Sequence, residues 1–228
     1  MYHQGKNISD HILFDTLSQE EKKLLENDYE NGSTLPKEFL YENDKKLNHV
    51  YFIRKGAVLI GRNYSEHNEY GTQLIMNAHF LGVENLLLSP NNEFAKTLSD
   101  VYFSKIGFDT FSYLIKRNLQ FQDTVRKQMY TRLERLEVKY NLLHSNVNFI
   151  DRLKHFFVDL TKAGESNNSN EVTVHIQITH MEISRYLHCS RQSITTALSS
   201  LRQAGFIDYS RTSIKIIDLK KIVDWKLK

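Results

Sequence analysis

The chain has 228 residues, 30 Lys or Arg against 27 Asp or Glu, and a hydrophobic fraction of 40%. This is the composition of an ordinary globular protein with one large or two small domains. No apolar run reaches the roughly 18–20 residues that a membrane span needs, and the start of the sequence lacks the apolar segment of a signal peptide. The single cysteine, Cys189, excludes a disulfide framework within the chain. We therefore expect a cytoplasmic protein with no membrane partner.

Charge is distributed unevenly along the chain. From Gln177 to Lys228 there are nine Lys or Arg and four acidic residues, whereas the rest of the chain holds 21 basic and 23 acidic residues. A basic C-terminal module on a nearly neutral body indicates a polyanionic partner, although a merely well-solvated surface would give the same count.

Short apolar runs alternate with turn residues from about Glu38 to Ile106. The run VYFIRKGAVLIGR predicts two strands that meet at Lys55 and Gly56, and the runs YGTQLIM, FAKTLSD and VYFSKI predict three more. Many short strands at this spacing are typical of an antiparallel sandwich or barrel.

The pattern changes to that of a helix at Asp109, which can cap it, and no Gly or Pro interrupts the sequence from there to Ser145. Polar residues, Arg132 and Lys139 among them, surround a heptad seam whose apolar members recur at spacings of 4, 3, 4 and 3. The seam residues are Met129, Leu133, Leu136, Tyr140 and Leu143. This period favours a partner helix from a second copy of the chain, and the alternative is a helix that lies on its own domain.

A third region begins near Asn146. Residues 149–162 predict a further helix, residues 163–170 a polar loop and residues 172–176 a short strand.

The segment ITHMEISRYLHCSRQSITTALSSLRQAGFI, residues 178–207, predicts two short helices joined by a tight turn. Thr179 and Glu182 fit a capping box, and Ser190 can cap the second helix after a break at residues 188–189. The second helix has an apolar stripe at i, i+3, i+4 and i+7, formed by Ile194, Ala197, Leu198 and Leu201. Gly205 ends this helix, and residues 206–217 then predict a hairpin with a turn at residues 211–213. The pattern is that of a winged helix-turn-helix.

Short hydrogen-bonding side chains lie on the face opposite this stripe. Arg suits guanine, Gln suits adenine, Thr suits a hydrogen bond or the thymine methyl, and Ser190 at a helix N-terminus suits a phosphate. The sequence therefore predicts a DNA-reading surface, against the alternative of a solvated helix face. With the start of the first helix and the wing included, its residues are Thr179, His180, Ser190, Arg191, Gln192, Thr195, Thr196, Ser199, Arg202 and Arg211.

The order of strands, long helix and winged module resembles the Crp/Fnr family of bacterial transcription regulators over nearly the whole chain. Residues 178–207 are similar to the family's sequence around its Cys-Ser-Arg-Glu-Thr-Val core, and VYFIRKGAV and HFLGVENLL resemble its sensor-domain signatures. The resemblance implies a DNA-binding homodimer that is switched by a signal in an N-terminal roll.

The same resemblance implies a phosphate contact for Ser190 and a guanine contact for Arg191. Gln192 stands where the family usually has glutamate, and Thr196 stands where it usually has arginine. Because of these two departures, the family's usual half-site is not assumed for this chain.

The expected effector pocket of the roll comprises Gly82, Val83, Glu84 and Lys96. Family members that bind cyclic AMP have a Gly-Glu pair, followed by an Arg-Ser or Arg-Ala pair that holds the cyclic phosphate. Here Glu84 comes one place late, and residues 88–98 contain no arginine and only one basic residue, Lys96. A buried phosphate needs charge-assisted hydrogen bonds, so we expect an effector other than cyclic AMP and predict no cofactor.

Other candidate sites are weaker. The ten histidines include no HxxxH or HxH pair, so no metal site is predicted. His79 is interpreted as a structural residue rather than a haem ligand, and Cys189 as a packing residue rather than a redox switch. No catalytic constellation stands out, and the chain is not expected to be an enzyme.

Together these patterns predict an α+β protein in three parts. Residues 1–108 form a sensor β-roll of the cupin-like or cyclic-nucleotide-binding type, residues 109–145 a dimerisation helix, and residues 146–228 a winged helix-turn-helix. The expected function is sequence-specific transcription regulation by a homodimer on a palindromic double-stranded DNA site. RNA polymerase and a small-molecule effector are further candidate partners. The alternative is an effector-binding sensor whose winged module contacts protein or RNA.

Overall fold

Two four-stranded antiparallel sheets form the N-terminal half of the protein. The computed structural model describes residues 7–42, 46–63, 69–86, 93–145, 147–162, 165–167 and 171–226. One sheet has the strand order β1-β8-β3-β6 and the other β2-β7-β4-β5, which confirms the predicted antiparallel roll. In chain order the strands are β1 (Glu30–Thr34), β2 (Phe39–Tyr41), β3 (His49–Lys55), β4 (Ala57–Asn63), β5 (Glu69–Met76), β6 (His79–Leu81), β7 (Phe94–Thr97) and β8 (Val101–Gly107).

The core of the roll lies between these sheets. Alternate side chains of β3 and β4 point inward, so that Ile53, Val58 and Ile60 are fully buried. β3 and β4 belong to different sheets, and Gly56 connects them with a φ of 112°. A Cβ at this position would lie 2.5 Å from the Asp100 carbonyl oxygen. The sharp passage between the sheets therefore requires glycine.

Three helices cover the outer side of the sheet that contains β3 and β8. They are α1 (Gln19–Asp28), α2 (Phe108–Arg117) and α3 (Leu119–His144). Their contact with the sheet is a buried cluster of aromatic rings with centroid separations between 5.1 and 6.0 Å, formed by Phe14, Phe52, Phe80, Phe111 and Phe121.

The prediction of one uninterrupted helix from Asp109 to Ser145 is wrong. The helix is broken at Asn118, whose backbone is extended and whose side chain accepts a hydrogen bond from Phe121 N at 2.9 Å. Its amide also donates to the Thr16 carbonyl and to Glu21 at 2.8 and 2.9 Å. Asn118 therefore ends α2 and caps α3. The residue at the start of α2 is Gly107 rather than Asp109, which lies in the first turn.

The C-terminal part consists of helices and one four-stranded sheet. Its sheet has the strand order β11-β12-β10-β9. The predicted polar loop at residues 163–170 contains the strand β9, and its residues 163, 164 and 168–170 lie outside the described residues. Residues 88–92, which belong to the stretch of the roll without arginine, also lie outside the described residues. The elements are α4 (Phe149–Thr161), β9 (Glu165–Asn167), β10 (Glu171–His175), α5 (His180–Leu187), α6 (Arg191–Gln203), β11 (Ile207–Tyr209), β12 (Ser213–Ile216) and α7 (Leu219–Asp224).

The C-terminal part packs directly on the roll. Its apolar core includes Phe157, Ile183 and Leu201, and the same buried cluster extends to Ala57 and Leu59 of the roll. The winged module is therefore held against the roll by apolar contact.

Candidate nucleic-acid interface

α5 and α6 form the helix-turn-helix. The Thr179 side chain accepts from Glu182 N, and the Glu182 side chain accepts from Thr179 N, so the predicted capping box is present. His188 then adopts the left-handed conformation with φ 50°, which turns the chain. Ser190 caps α6 by accepting from Ser193 N at 3.0 Å.

The two faces of α6 differ as predicted. Ile194, Ala197, Leu198 and Leu201 are buried in the core of the winged module. Arg191, Gln192, Thr195 and Thr196 are exposed on the opposite face, and Ser199 is half-buried at its side. Within the described part of the chain, the side chains of Arg191, Gln192 and Thr196 make no hydrogen bond or ion pair. Their polar groups are therefore available to an external partner.

Other predicted interface residues already have partners within the chain. The Thr195 hydroxyl donates to the Arg191 carbonyl at 3.0 Å and lies 3.0 Å from His180 Nδ1. Arg202 Nε lies 2.9 Å from Asp208 Oδ1, and its guanidinium lies 5.2 Å from the centre of the Tyr209 ring. These contacts join the start of α5, the reading face of α6 and the base of the wing into one surface.

The predicted wing is the hairpin of β11 and β12. Ser210 lies in its turn and accepts from the backbone amides of Thr212 and Ser213. Gly205, with φ 72°, ends α6, and the Phe206 amide donates to the Leu201 carbonyl. Arg211 is exposed at the tip of the wing, on a side chain long enough to reach a phosphate backbone.

The charge of Arg191 acts on the imidazole of His180 at the start of α5. Burial and the nearby charge of Arg191 both lower the pKa of His180, so that His180 is neutral at neutral pH. Burial raises the pKa of the Cys189 thiol in the adjacent turn. This thiol is therefore protonated at neutral pH, consistent with a packing residue.

A contact that the sequence does not indicate joins the capping box to the roll. Lys37 Nζ donates to Glu182 Oε2 at 2.8 Å and also to the Gln177 carbonyl oxygen. Burial raises the pKa of the Glu182 carboxyl, but the hydrogen bonds from Lys37 and Thr179 outweigh it, and the pKa is lowered overall. The predicted effector residue Lys96 lies 3.9 Å from the same carboxylate. The structure therefore places Lys96 beside the winged module and apart from Glu84.

The other predicted effector residues lie at the junction of the roll with α3. Gly82 has φ 82° and precedes Val83, which is buried. Glu84 Oε1 lies 2.7 Å from Nη1 of Arg132. The sequence pattern places Arg132 among the polar residues around the seam, and the structure shows that only 14% of its side chain is exposed.

From Gln128 onward, polar side chains of α3 face the roll, whereas its N-terminal part buries the apolar side chains of Phe121 and Val125. Gln128 bonds Ala78 and Phe80, Arg132 bonds Gln73 and Glu84, and Lys139 Nζ donates to the carbonyls of Gly71 and Thr72 at 2.8 and 3.0 Å. The predicted seam lies on the outer side, where Leu133 and Tyr140 are 59% and 60% exposed. This is the reverse of an ordinary surface helix, whose apolar stripe faces its own domain.

Residues 151–225 match the family model described as a Crp-like helix-turn-helix domain. The whole chain is similar to the anaerobic regulatory protein of Haemophilus influenzae, with 23% identity over 226 residues that cover 97% of this chain and 86% of that protein. The chain is a transcription regulator with a Crp-like helix-turn-helix domain. The global nitrogen regulator of a Nostoc strain is a further similar protein, 22% identical over 73% of this chain and 76% of its own length.

The fold of the regulator is also similar to those of solved structures. FixK2 from Bradyrhizobium japonicum has a TM-score of 0.73 and 15% identity, covering 88% of this chain and 98% of that one. A CooA mutant from Carboxydothermus hydrogenoformans has a TM-score of 0.69 and 16% identity, covering 97% and 96%. These likenesses support the arrangement of antiparallel sheets, long helix and winged helix-turn-helix.

Among the residues that the structure describes, no three or more His, Cys, Asp or Glu are grouped so that they could hold a metal ion. None of the described helices has the length and apolar character needed to cross a membrane.

Proposed function

We propose that the regulator binds DNA as a homodimer and reads a palindromic site with one α6 helix in each of two major grooves. The observation that carries the proposal is the exposed polar face of α6, where Arg191, Gln192 and Thr196 have no partner among the described residues. Arg can make two hydrogen bonds to guanine, and Gln can make two to adenine. Ser190, at the helix N-terminus, is placed to position the phosphate backbone.

The homodimer is supported by the outer face of α3. An apolar hollow of about 910 Å³ lies beside the seam and is lined by Leu133, Leu136, Tyr140 and Leu143, with Tyr70 of the roll at its edge. A second copy presents the same apolar spacing and can fill this hollow, because a heptad seam is complementary to itself. Residues 109–145 thus serve as the dimerisation segment despite the break at Asn118.

The proposed regulator acts in the cytoplasm, with RNA polymerase as a further candidate partner at its promoters. Its roll, residues 1–108, is the proposed site of the signal, and the winged module of residues 146–228 is the proposed output. The contact of Lys37 with Glu182 is a direct route between the two, because it joins the roll to the helix that precedes α6.

Selection from a random pool of DNA duplexes tests the proposal. We expect the wild-type protein to enrich a palindrome whose half-sites are one helical turn, roughly 34 Å, apart. Affinity for the selected site should fall steeply with salt concentration, because basic residues release counterions from the phosphates. Enrichment of an asymmetric motif, or of single-stranded RNA in a parallel selection, would contradict the proposal and favour another use of the winged module.

A further inference from the structure

One buried group of charged residues has no part in the DNA-binding surface. Arg132 of α3 donates through Nη1 to Glu84 Oε1 at 2.7 Å and through Nη2 to Glu93 Oε2 at 2.6 Å. Its Nε donates to the side-chain oxygen of Gln73, whose amide donates back to the Arg132 carbonyl at 2.7 Å. All three guanidinium nitrogens are therefore bonded, each to a different side-chain oxygen of the roll.

The surroundings of this group are suited to one planar cation. The side chains of Arg132 and Glu93 are only 14% and 12% exposed. At the rim, Arg62 Nη2 lies 3.7 Å from Glu93 Oε1 on a side chain that is 52% exposed. The Tyr41 hydroxyl nearby is buried and makes no hydrogen bond to any described residue. Two carboxylates and an amide that converge on three nitrogens in one plane match a guanidinium and no tetrahedral ammonium.

We propose that Glu84, Glu93 and Gln73 form a guanidinium-binding site whose occupant is the chain's own Arg132. The site ties α3 to the roll at the place where Glu84 was expected to meet an effector. A soluble ligand of this site carries a guanidinium or amidinium group, because it has to replace Arg132 on two carboxylates. A phosphate is disfavoured there for the same reason.

The physical basis of the proposal is the difference between a paired and an unpaired buried charge. Truncation of Arg132 takes the short ion pair away from both Glu84 and Glu93, and the loss of one partner from a buried ion pair is strongly destabilising. Truncation of Arg132 leaves a cavity between the two carboxylates, and this cavity has the shape of one alkylguanidinium. A ligand that binds the folded state then restores stability in proportion to its occupancy.

The test is chemical rescue measured by thermal unfolding. Arg132→Ala should lower the unfolding temperature Tm by roughly 6–12 °C. Ethylguanidinium at about 20 mM, which restores the missing atoms beyond Cβ, should raise the Tm of this variant by at least about 3 °C. Ethylurea at the same concentration, which has nearly the same shape and no charge, should not.

Two further variants serve as controls. Arg126→Ala removes an exposed arginine of the same helix, which forms an ion pair with Asp123 on the helix surface, and should show no rescue. The triple variant Arg132→Ala, Glu84→Gln, Glu93→Gln should be more stable than Arg132→Ala, because the like charges are gone, and should not respond to ethylguanidinium. It should fold even if Arg132→Ala does not.

Several results would overturn the proposal: equal stabilisation by ethylurea, rescue of Arg126→Ala, or a triple variant that is no more stable than Arg132→Ala. None of these measurements involves DNA. A failure here is therefore distinguishable from a failure of the proposed operator binding, and either inference can stand without the other.

Discussion

The polar faces of α3 and α6 have similar side chains, but those of α3 are hydrogen-bonded to the roll and those of α6 are exposed to solvent. On α3, Gln128, Arg132 and Lys139 point into the roll, and each is hydrogen-bonded to it. On α6, Arg191 and Gln192 point into solvent without a partner among the described residues. Polar groups in a protein interior are almost always paired, whereas groups exposed to water need no internal partner. The polar side chains of α3 therefore hold the molecule together, whereas those of α6 are free to recognise another molecule.

The same comparison applies to apolar side chains. The apolar stripe of α6 is buried within its own module, whereas Met129, Leu133 and Tyr140 of the α3 seam are exposed on the single chain and Leu136 and Leu143 are half-buried. Apolar residues of that extent and spacing on a surface indicate an interface.

Leu136→Asp should abolish the dimer at micromolar concentration. The substitution places a charge in the centre of the seam, which costs several kcal/mol unless the two helices separate. Sedimentation velocity should show a monomer with unchanged far-UV circular dichroism. Glu134→Asp, on a neighbouring exposed position of the same helix, is the matched control and should remain dimeric. A Leu136→Asp protein that sediments as a full dimer would contradict the assignment of the seam.

Ser190→Ala should lower the free energy of unfolding by about 1 kcal/mol, because α6 loses its N-cap bond to Ser193. DNA affinity should fall by a similar factor for operator and for unrelated DNA, since a phosphate contact carries no base identity. Chemical denaturation and fluorescence anisotropy measure the two effects. A loss confined to operator DNA would mean that Ser190 contacts a base.

The polar face of α3 predicts a dependence of stability on pH. Burial lowers the pKa of Lys139 to about 7, although two carbonyls and the Tyr186 ring, 3.5 Å away, favour the charged form. Between this value and the ordinary pKa of 10.5, the unfolded chain holds a proton that the folded chain has released. The contribution of Lys139 to stability should therefore be smallest below pH 7 and increase as pH rises.

Lys139→Met, which keeps the length of the side chain, removes this dependence. The Tm of the wild type relative to that of Lys139→Met should increase between about pH 7 and pH 9. Lys127→Met, on an exposed part of α3, should run parallel to the wild type. A constant difference between wild type and Lys139→Met would show that Lys139 titrates normally.

Cyclic AMP should have no effect. Glu84 and Glu93 are occupied by Arg132, and a phosphate at this position would face two carboxylates. Titration calorimetry should detect no binding at micromolar concentration, and DNA affinity should be unchanged. Micromolar binding together with tighter DNA binding would overturn this expectation.

Local contacts made the winged module predictable. Thr179 with Glu182 and Ser190 with Ser193 are three residues apart, so their capping bonds can be anticipated from the order of residues alone. The break at Asn118 could not be anticipated, because the bonds that hold its side chain go to Thr16 and Glu21, about a hundred residues away in sequence. The heptad spacing predicted a seam on α3, and its members Met129, Leu133 and Tyr140 are exposed on the single chain.

The contacts of the roll with α3 and α5 could not be predicted from the sequence for the same reason. Arg132 is 48 and 39 residues from its partners Glu84 and Glu93, and Lys37 is 145 residues from Glu182. Periodicity assigns a polar residue to solvent by default, and only the tertiary fold shows that two carboxylates lie opposite it. The strand β9 lies in a run of polar residues, where the hydrophobic pattern gives no signal for a strand.

The most direct test of the DNA-reading face is a parallel selection with the wild type, Arg191→Ala and Gln192→Glu. Arg191→Ala should lose about 1–3 kcal/mol of binding free energy and relax preference at one base position in each half-site. Gln192→Glu should change the preferred base at another position, because a carboxylate accepts from cytosine, whereas an amide both donates to and accepts from adenine. If all three proteins enrich the same motif with unchanged base preferences, α6 does not read the DNA sequence.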